Sequence, residues 1–397
     1  MQSKQHDYTK WNFCTFYFLI FYGIGSLYPL LTVYLDKDIG LTGSQIGTIM
    51  SISPVVMIIV QPLWGILSDW TGKPKLLLTI AIVLTSLMAF LFSLSGAYIT
   101  LFIVASLIAV AQSAITPLSD SIALNYVHKV KGNYGSLRLW GAIGFAIAVI
   151  VAGRLAEYFG LSIIFYLFAF VLLLSTFFAW RLPQESQSVR TNIFTGISAL
   201  GKRPRFLLFL MTTFLVFGPV YANNFYFGLF IIDIGGTLTG VGIAFLLAAG
   251  SEAPFMQFAL RIIQKLGMLK VLLMAALISA IRWIFYYFEP SLYLVYATTI
   301  AQGFSVGLFI PAALQYVKDI SPKEVHVTAI SIYSAVGNGL GSWFCTYVGG
   351  LILQWYSIQE VYLFYGLLTS LGMVTLLIVA RIDYIKRKPF FNAQETS

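Results

Sequence analysis

The sequence predicts an all-α membrane protein: twelve transmembrane helices in two pseudo-symmetric six-helix bundles, with both termini cytoplasmic. Three observations carry that expectation. Of 397 residues, 59% are hydrophobic and only 10% are charged, where a soluble domain carries about 25% charged residues. Mean hydropathy is +0.85. Apolar runs of roughly twenty residues, enough to cross a bilayer core of about 30 Å, recur along the whole chain. The runs are continuous, whereas a membrane β-barrel would show alternating segments of about ten residues.

The spans are expected at 11–34, 44–68, 76–95, 97–125, 135–158, 162–182, 207–231, 238–262, 268–288, 291–317, 325–353 and 359–383. The first is a span rather than a cleaved leader, because the run is too long and no small-residue cleavage site follows it. GLTGSQIG precedes the second and QPLWGILSD closes it. Short turns separate the third to sixth. The polar, basic stretch PQESQSVRTNIFTGISALGKRPRF, residues 183–206, then divides the chain into residues 1–182 and 207–397, each with six spans. The second half repeats the pattern and ends in a short tail, IKRKPFFNAQETS.

Orientation follows from Lys and Arg, which collect on the cytoplasmic side of membrane proteins. Of 24 basic residues, only Lys37 and Arg154 fall on outer loops when the N-terminus is placed inside, and Arg282 lies within a span. The other basic residues lie at inner loops and inner helix ends. This distribution also accounts for the net charge of +9 without a nucleic-acid partner. Cys14 and Cys345 lie within apolar segments and read as small hydrophobes, not as a disulfide. No metal-ligand cluster, phosphate-binding loop or nucleophile triad is visible. No cofactor is expected. The expected partners are a small organic solute, protons and the lipid bilayer, with the monomer as the working unit.

Between the second and third spans the chain reads GILSDWTGKPK, with Gly65, Asp69, Gly72, Lys73 and Lys75 in the pattern G-x-x-x-D-x-x-G-[RK]-x-[RK]. Gly65 would permit close helix approach and Gly72 a tight turn. Asp69 could cap a neighbouring helix N-terminus, and the lysines face an anionic inner leaflet. The matching stretch of the second half, LRIIQKLGMLK, keeps Gly267 and Lys270 but has Gln264 in place of the acid. Together with six plus six spans and a long inner loop, this motif resembles the inner-loop gating signature of the major facilitator superfamily. The resemblance implies two six-helix halves that rock around a midplane site.

An ionisable residue inside a span is costly and is by default a functional candidate. Four stand out: Asp120 and Arg138 on spans 4 and 5, and Glu252 and Arg282 on spans 8 and 9. At a rise of about 1.5 Å per residue, Asp120 and Arg138 lie roughly 8 and 5 Å from their inner helix ends. Glu252 and Arg282 lie roughly 15 and 21 Å from theirs. Each pair is close enough in height to meet or to grip a ligand. Buried ion pairs often add little net stability, so locking helices together is a weak reason to keep them. Arginine stays charged, so proton exchange falls to a carboxylate. Glu252 is the better candidate, with Asp120 a second, because Gly250 and Pro254 weaken its helix. Polar neighbours that could line a wet cavity include Gln112, Asn223, Asn224 and Asn338.

PLSDSIALNYV and YGSLRLWGAIGF, with GIGSLYPLLTVYL, SEAP and IRW, resemble a branch of the superfamily. It holds phenylpropionate permease-type transporters, nucleoside–proton symporters and lactose permease-type oligosaccharide symporters. In the oligosaccharide type, an acid on span 4 and an arginine eighteen residues later grip the substrate. Asp120 and Arg138 match that spacing, with Asp for Glu. Arg282 matches an arginine of the proton- or substrate-handling group, and Glu252 is displaced by about one turn. The stacking tryptophan of that type is Phe145 here, and span 10 carries Gln302 and Ser305 where it has a histidine and an acid.

The resemblance implies a secondary active transporter, foremost a proton-coupled symporter importing an aromatic acid, a nucleoside or a small glycoside by alternating access in the cytoplasmic membrane. Substrate would be held by Asp120, Arg138, Phe145, Gln112, Asn223, Asn224 and Asn338, and protons by Glu252, Arg282 and Asp120. An exporter, antiporter or facilitator on the same fold is the rival, and a non-transporting membrane sensor is a third. No enzymatic activity is expected.

Overall fold

Among the described residues of a computed structural model of the chain, eleven helical stretches are long and apolar enough to cross a membrane, Tyr98–Val130 counting as one. The structure describes residues 2–184, 200–322 and 325–392. Most of the connection at 183–206, including Arg190, lies outside the described residues, as do Lys323 and the end of the tail.

In chain order the helices are α1 Gln2–Lys37, α2 Gly43–Thr71, α3 Pro74–Ser93, α4 Tyr98–Gln112, α5 Ile115–Val130, α6 Tyr134–Phe159 and α7 Ile163–Trp180. There follow α8 Pro204–Asp233, α9 Leu238–Leu266, α10 Met268–Tyr287, α11 Leu292–Ile320, α12 His326–Ser334, α13 Ser342–Trp355 and α14 Ile358–Asn392. Two expected spans are interrupted. The fourth breaks at Ser113 and Ala114, between α4 and α5. The eleventh contains a π-helical segment, Ala335–Gly341, that joins α12 to α13.

Local chemistry sets the helix ends. Thr42 and Gln45 form a reciprocal capping box at the start of α2, satisfying amides that the first turn leaves without partners. Gly72 ends α2 in the left-handed region at φ +62° and donates its N–H to Ser68 O at 2.9 Å. Only glycine takes that conformation without a Cβ penalty. Pro74 then opens α3 at a position whose N–H has no helical partner.

The residues gather into two compact units. One comprises Met1–Arg190, Asn224–Ala249 and Thr346–Ile358, and the other Thr191–Asn223, Gly250–Cys345 and Gln359–Ser397. In the first, α1 is central and packs on α6 and α7, with Phe13, Phe16, Ile20, Phe165 and Phe168 buried. Its end remote from the N-terminus is closely interlocked. A Cβ added at Gly350 on α13 would meet Gly47 Cα at 2.5 Å and Gly43 O at 2.6 Å on α2. Gly228 on α8 presses on the backbone of Pro29, and Gly242 on α9 on that of Val149. Thr32 donates to Phe225 O at 2.6 Å. Glu157 at the end of α6 accepts the N–H of Thr239 at 2.8 Å, at the start of α9.

In the second unit, Phe209, Phe217, Phe309, Tyr316 and Tyr333 centre the core. Here α8 meets the π segment through glycines: a Cβ at Gly341 would lie 3.0 Å from Gly218 Cα. Arg205 pairs with Asp383 at 3.2 Å, and Tyr316 donates to the same carboxylate at 2.9 Å.

Candidate functional site

Asp120 and Arg138 are brought together by the turn between α5 and α6. Lys131 ends α5 in the left-handed region at φ +49°. Asn133 then caps α6, its side chain accepting from Gly135 N at 2.8 Å. The chain reverses within three residues, so acid and arginine return to similar height on successive helices.

They do not form an ion pair. Tyr17 on α1 stands at this place. Its hydroxyl donates to Asp120 Oδ1 at 2.7 Å, and Arg138 lies 5.7 Å above its ring. Tyr134, at the start of α6, meets the Tyr17 ring edge-on at 6.5 Å. The Arg138 guanidinium rests 3.8 Å over the Phe21 ring. Cation–π contact of this kind holds a guanidinium without consuming its N–H donors. Asp120 and Arg138 are half-buried, whereas Tyr17 is 1% exposed. The cluster thus offers an engaged acceptor and free donors, with zero net charge.

The other predicted residues of this unit lie apart from that cluster. Gln112 ends α4 and accepts from Tyr28 at 2.5 Å. It stands near a cavity of about 30 Å³ lined by Tyr28, Ser53, Met50, Ile108 and other apolar groups, room for about one or two waters. Phe145 is two turns along α6 from Arg138 and packs edge-on against Phe245 at 6.3 Å, which in turn meets Phe227 at 5.6 Å. Asn224 is exposed.

In the second unit Glu252 on α9 receives a long hydrogen bond, 3.4 Å, from Gln302 Nε2 on α11. The two helices touch there, because Gly303 sits against the backbone of Ser251. Arg282 on α10 is 5% exposed and stacks on Trp283 at 4.2 Å, with Tyr286 at 5.8 Å. Its Nε and Nη1, and the indole Nε1 of Trp283, have no hydrogen-bond acceptor. Glu252 and Arg282 are not ion-paired. Asn223 is fully buried and accepts from Tyr362 at 2.8 Å. Asn338 lies in the π segment that joins α12 to α13.

The inner-loop motif forms the expected turn at Gly72, and Lys75 lies 5.4 Å over Trp180. Two expectations are corrected. A Cβ at Gly65 would meet nothing within 4 Å, so no close helix approach is made there. Asp69 is exposed, and among the described residues its carboxylate accepts no hydrogen bond from a helix N-terminus.

Sequence reasoning passed over Tyr17 and Tyr134 by grouping aromatics with lipid-facing belts. One signal was available. Tyr17 falls on the buried face with Phe13, Phe16 and Ile20, and a phenol hydroxyl buried at such a place requires a polar partner.

Comparison with known proteins accords with this architecture. The chain is 50% identical to a maltose permease of Geobacillus stearothermophilus over 377 residues, covering 94% of this chain and 95% of that protein. It is 42% identical to the uncharacterized transporter YwbF of Bacillus subtilis (strain 168), covering 90% of each. Its fold superposes on the crystal structure of the nucleoside transporter NupG with a TM-score of 0.85, at 17% identity, over 94% of this chain and 98% of that one. The model of the MFS_1 like family matches residues 10–364. This chain is a multi-pass membrane transporter and belongs to the MFS_1 like family of the major facilitator superfamily.

Proposed function

We propose that the chain is a proton-coupled symporter that imports a small neutral oligosaccharide of the maltose type across the cell membrane by alternating access. The observation that carries the reading is the arrangement of Asp120 and Arg138. They sit together without collapsing into an ion pair, one accepting and one donating, with no net charge. A hydroxyl-rich neutral solute satisfies both groups at once, whereas a carboxylate would satisfy only the arginine. The maltose permease at 50% identity supports the same substrate class. A nucleoside or an aromatic acid fits the pair less fully.

Glu252 is proposed as the proton carrier. It is the carboxylate at membrane depth in the second unit, and its one protein hydrogen bond is long. Arg282 supplies a fixed positive charge on the neighbouring helix. His326–Trp355, taken across its π segment, is read as the eleventh span in chain order, which brings the count to twelve. The distribution of basic residues supports a cytoplasmic position for both termini, with the monomer as the proposed working unit.

The test is maltose uptake by proteoliposomes under an imposed pH gradient. Accumulation should require an inwardly directed proton gradient, and Asp120→Ala and Arg138→Ala should each abolish it. Uptake indifferent to protonophore removes the coupling, and no specific maltose binding removes the substrate class. Net efflux from vesicles of known orientation would favour an exporter.

A further inference from the structure

We infer that Tyr17, backed by Tyr134, is a positioning residue: a spacer that keeps Asp120 and Arg138 from closing on each other while the site is empty. This rests on the reading of Asp120 and Arg138 as the solute-binding pair.

Opposite charges at the same height on adjacent helices, partly shielded from water, attract strongly. A bidentate arginine–carboxylate pair is the favoured product. Here it has not formed, and the surrounding side chains account for that. The Tyr17 hydroxyl takes Asp120 Oδ1 at 2.7 Å, while the ring of the same residue lies under Arg138. One side chain therefore holds both partners, by different chemistry and at different points. Phe21 draws the guanidinium to its own face at 3.8 Å. Tyr134 packs edge-on against the Tyr17 ring at 6.5 Å, which puts a second phenol beside the first. Gly141 leaves room for the arginine: a Cβ there would stand 3.2 Å from Arg138 Nη1.

The consequence concerns affinity. A solute entering a collapsed pair must first break it, and only the remaining interaction would appear as binding. A solute entering a pair already held apart meets an acceptor and donors whose geometry is set in advance, and preorganisation of this kind raises affinity.

The test compares the wild-type protein with Tyr17→Phe and with Tyr17→Phe/Tyr134→Phe, which keep the rings and remove the hydroxyls. The first readout needs no solute. A free guanidinium reacts with phenylglyoxal and a carboxylate-paired one is protected, so modification of Arg138 is followed by mass spectrometry of the purified protein. The double variant should slow modification of Arg138 several-fold, and adding Asp120→Asn should restore it. The second readout is maltose uptake, where KM should rise about tenfold, the scale of a lost hydrogen bond to a charged group, with a smaller change in Vmax. Unchanged Arg138 reactivity in the double variant overturns the inference, as does a fall in KM, which would mean the phenols compete with solute. Maltose uptake insensitive to Asp120→Ala and Arg138→Ala would overturn the site reading instead, while the labelling result still judges the spacer.

Discussion

Gly350→Ala should open the interlocked end of the first unit. A Cβ at this position would lie 2.5 Å from Gly47 Cα and 2.6 Å from Gly43 O, where carbon atoms normally rest about 3.5–4.0 Å apart. Both obstacles are backbone, so no side chain can turn aside and α2 and α13 must separate by about 1 Å. Overpacking of this kind costs about 1–3 kcal/mol. At about 1.4 kcal/mol per factor of ten, the closed arrangement loses roughly 5- to 150-fold in population to an open one. The assay places a cysteine at Phe245, which is 6% exposed and packed between Phe145 and Phe227, after Cys14 and Cys345 have been replaced. Labelling by an impermeant maleimide reports opening. Gly350→Ala should accelerate it at least fivefold, and Gly350→Val further. If the rate is unchanged while the variant folds and inserts normally, the glycine contact is not what holds this end closed.

Three further outcomes are expected. Glu252→Gln should retain maltose binding and counterflow but lose accumulation driven by a pH gradient; retained accumulation would remove Glu252 as the carrier. Glu157→Ala removes the acceptor for Thr239 N and should destabilise the start of α9 by about 1 kcal/mol, read as faster amide exchange near residue 239. Arg205→Ala strips Asp383 of its cation but leaves its hydrogen bond from Tyr316. The pair is partly exposed, so a loss of no more than about 1 kcal/mol is expected, and Tyr316→Phe combined with it should lower the melting temperature further.

Most spans were legible because hydropathy alone dictates them: no partner is needed to make twenty apolar residues span a bilayer. The interruptions were not. The break after Gln112 and the π segment depend on what packs against them, as at Gly341 and Gly218, and these residues lie more than a hundred positions apart. The four charges at membrane depth were equally legible, since each is conspicuous against its surroundings. What they touch was not. Height along a helix predicted that Asp120 and Arg138 could meet. The third side chain standing with them comes from α1, over a hundred residues earlier, and it looked like any other tyrosine in an aromatic-rich chain. The same holds for Arg282, whose neighbours Tyr286 and Tyr362 form an aromatic surround that only packing reveals.

The π segment Ala335–Gly341 also bears on how this chain is aligned with its relatives. A π turn carries its hydrogen bonds from i to i+5, so it holds one residue more than the α-helical turn it replaces. Elsewhere in a helix, an added residue would rotate everything beyond it by about 100°. Here the surplus is absorbed in a widened turn, and α12 and α13 keep their own faces. Relatives that lack one residue between Ser334 and Ser342 should therefore be read as sharing both flanking helices in register, with a gap placed among Gly337, Asn338 and Gly339. Forcing the gap into either flanking helix would put the residues between it and the π segment out of register.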